Sequence, residues 1–62
     1  MYPVTIELDH ATYRGTYAIR HRLITVSYNG DDDTRYLEDL SPEILARRML
    51  FTLIPKAHRP IG

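Results

Sequence analysis

Residues 4–28 read VTIELDHATYRGTYAIRHRLITVSY, and this stretch decides the fold. Large apolar residues alternate with polar ones in three segments, at residues 4–8, 13–19 and 24–28. Alternation with a period of two, rich in β-branched and aromatic residues, indicates β-strands. Because only a few residues separate these segments, successive strands must pair antiparallel. We therefore predict an antiparallel β-meander.

The register of the two hairpins follows if the large apolar residues share one face of the sheet. With four residues in the first connection, Leu8 lies opposite Tyr13, and with two in the second, Tyr17 lies opposite Ile24. A slip of one residue would turn one of these apolar sets toward water, so their agreement supports the meander. The opposite face is polar and carries Thr5, Glu7, Arg14, Thr16, Thr25 and Ser27.

A turn and a short strand follow the meander. Asn29-Gly30 is a strong turn signal, because both residue types accept positive φ. Three aspartates come next, and residues 34–37 are predicted as a short fourth strand of undetermined register. The sheet is therefore expected to have three or four strands.

A helix is predicted after this strand. Ser41 supplies a capping oxygen, Pro42 suits the first helical position, and the carboxylate of Glu43 favours the positive end of the helix dipole. The helix should end near Ile54, because Pro55 follows. The predicted fold class is α+β, with an antiparallel three- to four-stranded β-meander and one C-terminal helix packed on one face.

The composition limits what the chain can be. It has 62 residues, eight Lys and Arg against eight Asp and Glu, and no Cys. We expect a single domain at residues 1–54 and a flexible C-terminal tail at residues 55–62. A domain this small buries only about 60 % of its extended surface, and without Cys it has no disulfide to stabilise it. No apolar run reaches the roughly 20 residues of a membrane span and no secretory signal is recognisable, so we expect a cytoplasmic protein without membrane contact.

The helix carries more apolar surface than one sheet can cover. The broad face that we expect to lie on the sheet contains Leu45, Ala46, Met49, Leu50, Leu53 and Ile54. Gly15, central in the sheet, is expected either to let the helix approach closely or to leave a slot for one long side chain. Ile44 and Phe51 lie on the opposite side, flanked by Arg47, Arg48 and Thr52.

Two interpretations of this opposite side stay open. In the first, a sheet edge or the tail folds over Ile44 and Phe51, or they are simply exposed, which is normal for single apolar residues. In the second, Ile44, Arg47, Arg48 and Phe51 form a contact surface for a homodimer or for another protein. We favour the second, because a partner would stabilise a small domain.

Charge is balanced in sum but segregated along the sequence. Residues 11–28 hold three arginines and no acid, and residues 29–43, which follow, hold six acids and one arginine. The alternative function is therefore a nucleic-acid-binding domain that uses the sheet face and a hairpin tip. Its candidate contacts are Arg14, Arg20, His21 and Arg22. Zero net charge and an expected pairing of Arg14 with Glu7 argue against it.

The sequence lacks the patterns of catalytic and metal sites. The three aspartates are contiguous, whereas a calcium loop needs acids at alternating positions. The three histidines fall in two turns and the tail, without the spacing of a zinc site. Neither serine has a sequence-adjacent base, and the chain is too short to enclose a cleft. We therefore expect no enzymatic activity, no metal and no cofactor.

Three segments carry a resemblance to known proteins. They are the Tyr-x-Gly-x-Tyr strand at residues 13–17 (YRGTY), the strand at residues 24–27 (ITVS) and the Pro-Glu-opened helix at residues 41–48 (SPEILARR). In this combination the chain resembles a group of short uncharacterised bacterial proteins over about residues 12–54. The shared motifs are structural, and the resemblance assigns no activity to any residue.

Overall fold

The computed structural model describes residues 1–57 and confirms the α+β fold class. One antiparallel sheet contains four strands that are neighbours in sequence order, and a C-terminal helix packs on one of its faces. The elements are β1 (Tyr2–Leu8), β2 (Ala11–Arg20), β3 (Leu23–Tyr28), β4 (Asp31–Tyr36) and α1 (Pro42–Ala57). The meander therefore has the larger of the two strand numbers that the sequence allows.

Each pair of neighbouring strands is joined by a two-residue turn. The turns are Asp9-His10, His21-Arg22 and Asn29-Gly30. All six residues have positive φ, from 49° to 90°. Positive φ at both central positions is typical of the type I′ turn, whose twist matches that of the flanking strands. Only the third turn has the Asn-Gly sequence that favours this geometry, so the first two impose a left-handed backbone on residues with a β-carbon.

The two faces of the sheet are as predicted, but the predicted register of both hairpins is wrong by two residues. Leu8 lies opposite Ala11 instead of Tyr13, and Tyr17 lies opposite Val26 instead of Ile24. The first connection has two residues instead of four, and the second turn is His21-Arg22, whereas the predicted register placed it at Arg20-His21. A shift of two residues keeps every side chain on its face, so the apolar side still faces α1.

The fourth strand begins at Asp31, three residues earlier than predicted, because Asn29-Gly30 alone makes the turn. Thr34 of β4 is linked to Thr25 of β3 by a hydrogen bond between their Oγ1 atoms, which are 2.8 Å apart. The strand begins with three acids and lies at an edge of the sheet. Charged side chains on an edge strand oppose pairing with other chains.

Helix α1 covers the apolar, or inner, face of the sheet with the residues that the sequence predicted. The buried helix residues are Leu45, Ala46, Met49, Leu50, Leu53 and Ile54. The sheet contributes Val4, Ile24 and Val26 to the same core. The approach is close at Gly15, as predicted, since a β-carbon there would lie 3.1 Å from Leu50 Cδ1 and 2.6 Å from the carbonyl oxygen of Ser27.

The prediction that the helix ends near Ile54 is wrong, because α1 continues through Pro55 to Ala57. Proline at this position removes only the hydrogen bond that its N–H would have donated to the carbonyl of Phe51, and the helix ends within the same turn. The rest of the predicted tail, residues 58–62, lies outside the described residues.

Glycine in the first two turns should stabilise the protein. In His10→Gly and Arg22→Gly the new residue adopts the observed φ of 66° or 65° without a β-carbon. Relief of the left-handed conformation is worth roughly 1–2 kcal/mol, and the entropy of the more flexible unfolded chain removes about half of it. We therefore expect each change to raise the free energy of unfolding by about 0.5–1 kcal/mol, and the melting temperature by several degrees.

Thermal unfolding followed by circular dichroism at one protein concentration measures this effect. Ala11→Gly is the matched control, because Ala11 is an exposed strand residue without positive φ. There the glycine should lower stability by about 0.5–1 kcal/mol. Equal effects at His10 and Ala11 would contradict the type I′ assignment.

Candidate functional site

The most exposed apolar side chains of α1 lie on its side away from the sheet. Ile44 is 46 % exposed and Phe51 is 53 % exposed. They are seven residues apart, so they lie two turns and about 10 Å apart along the same side of the helix. The part of the chain that the structure describes leaves about half of each side chain uncovered.

Two arginines flank these side chains, and their environments differ. Arg47 donates a hydrogen bond from its Nη2 atom to Glu43 Oε1 at 3.1 Å, one helical turn earlier. Arg48 takes part in neither of the two salt bridges found among the described residues. We call Ile44, Arg47, Arg48 and Phe51 the outer strip of α1. The structure thus brings together all four residues that the sequence assigned to this surface.

Two further exposed residues lie next to the outer strip, and the sequence reasoning missed both. Tyr36, the last residue of β4, and Leu40, in the connection to α1, share a shallow depression of about 310 Å³ with Arg48 and Glu38. Leu40 lies four residues before Ile44, and this spacing was a usable signal. The sequence holds no comparable signal for Tyr36, because the position of this residue depends on how the chain passes from the sheet to the helix.

The candidate nucleic-acid contacts do not form one compact group. Arg20, His21 and Arg22 are exposed at the end of the second hairpin. Arg14 lies six residues before Arg20 on the same strand and the same outer face, which places the two about 20 Å apart. Its nearest charged neighbours therefore differ from those at the hairpin tip.

Arg14 also lacks the partner that the sequence predicted. Thr5 lies opposite Arg14 in the sheet, and Glu7 lies opposite Thr12. No salt bridge joins Arg14 to Glu7 in the structure of residues 1–57, so the predicted pair is wrong. Instead Arg14 lines an open depression of about 480 Å³ on the outer face, together with Asp32.

Acidic and histidine side chains are dispersed over the surface. Asp32 points to the outer face, whereas its neighbours Asp31 and Asp33 point to the inner face, since side chains alternate along a strand. His10 and His21 lie in different turns. Within residues 1–57, no three His, Asp or Glu side chains come close enough together to hold a metal ion.

No helix in residues 1–57 is both long enough and apolar enough to span a membrane.

Known proteins were compared with this chain by sequence and by structure. No protein-family model, no curated protein and no solved structure matches it. The resemblance to short bacterial proteins over residues 12–54 stays a prediction.

Proposed function

We propose that the protein is a non-catalytic, cytoplasmic interaction module that forms a homodimer through the outer strip of α1. The observation that carries this proposal is the joint exposure of Ile44 and Phe51 on the helix side that faces away from the sheet. A second helix laid along this side covers both side chains at once. The proposed occupant is α1 of a second copy.

The free energy gained by burying apolar side chains favours such a dimer. About half of each side chain is already covered within one copy, so burial of the rest is worth roughly 0.8–1.5 kcal/mol for each Phe51 or Ile44, and a symmetric contact buries two of each. A chain of this length has a free energy of unfolding of only about 3–9 kcal/mol, so this gain is large in comparison. Dimerisation therefore stabilises the fold as well as creating a binding surface.

Charge around the outer strip is compatible with self-association. Arg48 has no salt bridge among the described residues, and Glu38 lies in the same depression. In a two-fold dimer Arg48 of either copy can bond to Glu38 of the other. The contact then has an apolar centre and a charged rim, the arrangement typical of protein interfaces.

The chemistry of the outer strip supports binding and not catalysis. Its side chains are two hydrocarbons and two guanidinium groups. Hydrocarbons do not react, and a guanidinium group stays protonated in proteins, so neither type provides a nucleophile or a general base. These groups therefore favour association as the role of this surface.

Nucleic-acid binding, the alternative function, receives less support. The cluster of Arg20, His21 and Arg22 favours it, but Arg14 lies about 20 Å away along the strand. The described chain also presents acids on the same outer face, such as Asp32 beside Arg14. A basic footprint on one face is the usual requirement for phosphate contacts.

Phe51→Asp should dissociate the dimer without unfolding the protein. Loss of the contacts of two half-exposed phenylalanines, at roughly 0.8–1.5 kcal/mol each, raises the dissociation constant by about 10–10²-fold. Light scattering and analytical ultracentrifugation between about 1 and 100 µM measure the change. The wild type should show twice the mass of the chain and the variant the mass of one chain, with equal circular dichroism spectra.

Thr52→Asp is the matched control. Thr52 is the next residue of the helix, is also exposed, and lies outside the outer strip, with its hydroxyl group bonded to the carbonyl of Met49 at 2.7 Å. Thr52→Asp introduces the same charge as Phe51→Asp, and the dimer should persist. A wild-type protein that stays monomeric throughout this concentration range would refute the proposal.

A further inference from the structure

The first strand, β1, is an edge of the sheet with unpaired backbone groups. The strand order is β1-β2-β3-β4, and α1 lies on a face of the sheet and not beside an edge. Among the described residues, no segment pairs with the outward side of β1. An unpaired strand edge is a template for one more strand.

The outward backbone groups of β1 belong to Pro3, Thr5 and Glu7. In an antiparallel pair, opposite residues alternate between hydrogen-bonded and non-hydrogen-bonded pairs. The type I′ turn closes with the hydrogen-bonded pair of Leu8 and Ala11, so the even-numbered residues of β1 bond to β2. The odd-numbered ones then point their N–H and C=O groups away from the sheet. Pro3 agrees with this assignment of the odd-numbered residues to the outward side, because an edge position tolerates its missing N–H.

The two edges of the sheet differ in how well their side chains block pairing. β4 has three acids and an arginine among its six residues, whereas β1 has one charged residue, Glu7, among seven. Charged edges resist the addition of a strand. An additional strand is therefore accepted more readily at β1.

We propose that β1 pairs antiparallel with β1 of a second copy, about a two-fold axis at Thr5. In this register Thr5 lies opposite Thr5, and Pro3 lies opposite Glu7 of the other copy. Each Thr5 donates and accepts one backbone hydrogen bond, and each Glu7 N–H donates to a Pro3 carbonyl. The two sheets then continue as one eight-stranded sheet.

The inner face of β1 is self-complementary in this register. Val4 faces Ile6 of the other copy, and Tyr2 faces Leu8. Tyr2 is 58 % exposed, and Ile6 and Leu8 are only half-buried. The pairing therefore covers apolar surface that one copy leaves open to water.

Charges on α1 complement each other across the same axis. Glu43 and Arg47 line a groove of about 440 Å³ beside β1, together with Thr5 and Thr12. They form a salt bridge 3.1 Å long. Because Glu43 and Arg47 both line this groove with Thr5, a two-fold axis at Thr5 would bring Glu43 of each copy toward Arg47 of the other. This complementarity favours a second copy over an unrelated peptide as the occupant.

This contact is centred on β1 and not on the outer strip, although Arg47 borders both surfaces. It is also weaker, since the strand is short and each hydrogen bond with a protein partner replaces one with water. We expect a dissociation constant of about 1 mM for the isolated contact. This value lies above the concentrations, about 1–100 µM, that the experiment on the outer strip uses.

The test uses the folded Phe51→Asp variant, in which the outer strip cannot associate. Nuclear magnetic resonance between about 0.05 and 2 mM should show concentration-dependent shifts of the Thr5 and Glu7 amides, half complete near 1 mM. Thr5→Lys in this background places two like charges opposite each other and should weaken the contact at least about tenfold. Ala18→Lys adds the same charge to the outer face away from the edge, and the shifts should persist.

Either of two results would overturn the proposal. One is that the Thr5 and Glu7 amides do not change up to about 2 mM, a range that extends to twice the expected dissociation constant. The other is that Thr5→Lys and Ala18→Lys behave alike. If Phe51→Asp does not fold, Ile44→Asp provides the same background. Failure of the outer strip proposal appears separately, as a wild type that is monomeric at micromolar concentration.

Discussion

Gly15→Ala should remove much of the stability of this protein, although it adds only one methyl group. The new β-carbon would lie 2.6 Å from the carbonyl oxygen of Ser27 and 3.1 Å from Leu50 Cδ1. Ser27 lies opposite Thr16 within the sheet, so its carbonyl cannot withdraw without disturbing the ladder. Overpacking of a core costs roughly 1–3 kcal/mol and at times more, and a clash with backbone belongs at the upper end. A domain whose free energy of unfolding is about 3–9 kcal/mol in total retains little stability after this loss.

Urea unfolding followed by circular dichroism measures this loss, with Gly30→Ala as the control. At Gly30, where φ is +90°, no atom lies within 4 Å of the added carbon. The control therefore carries only the conformational cost of a left-handed residue, roughly 1–2 kcal/mol. Gly15→Ala should be clearly the less stable variant. If Gly15→Ala is as stable as the wild type, the Ser27 carbonyl and the Leu50 side chain do not lie as close to Gly15 as the structure shows.

The fold class was predictable because the two hydrophobic periods are strong signals. Alternation with a period of two identified the strands, and the spacing of residues such as Leu45 and Met49 identified the buried face of α1. The register was not predictable from the same signal. A shift of two residues leaves the burial pattern intact, so only the turn geometry decides between Ala11 and Tyr13 as the partner of Leu8.

Two of the three turns were hard to predict, because their residue types do not favour positive φ. Asn29-Gly30 has the sequence of a type I′ turn, and its position was predicted correctly. Asp9-His10 and His21-Arg22 adopt positive φ in spite of their side chains. The tight pairing of the flanking strands determines their conformation, and this influence of the rest of the fold is not visible in a local pattern.

The candidate site was predictable only where it depends on one element. Ile44 and Phe51 are exposed together because both lie opposite the buried face of one helix, and a helical repeat places them there. The residues beside them, Tyr36 and Leu40, come from a strand end and a connection. Their position depends on the path of the chain between β4 and α1, for which the sequence has no periodic signal.

Leu53→Asp should abolish folding, whereas Phe51→Asp, two residues earlier on the same helix, should preserve it. Leu53 is 2 % exposed and belongs to the core, and Phe51 is 53 % exposed. The core contains no buried polar or charged side chain among the described residues, so a carboxylate at position 53 finds no partner. Burial of an unpaired charge costs more than the roughly 3–9 kcal/mol available to a chain of this length.

Circular dichroism and the dispersion of amide signals in nuclear magnetic resonance separate the two variants. Leu53→Ala removes apolar contacts without adding a charge and should cost about 2–5 kcal/mol, which leaves a weakened but recognisable fold. The order of stability should therefore be Phe51→Asp, then Leu53→Ala, then Leu53→Asp. If Phe51→Asp unfolds like Leu53→Asp, Phe51 is part of the core, and the outer strip is not a free surface for a partner. If Leu53→Asp folds, α1 is not held on the sheet by this face.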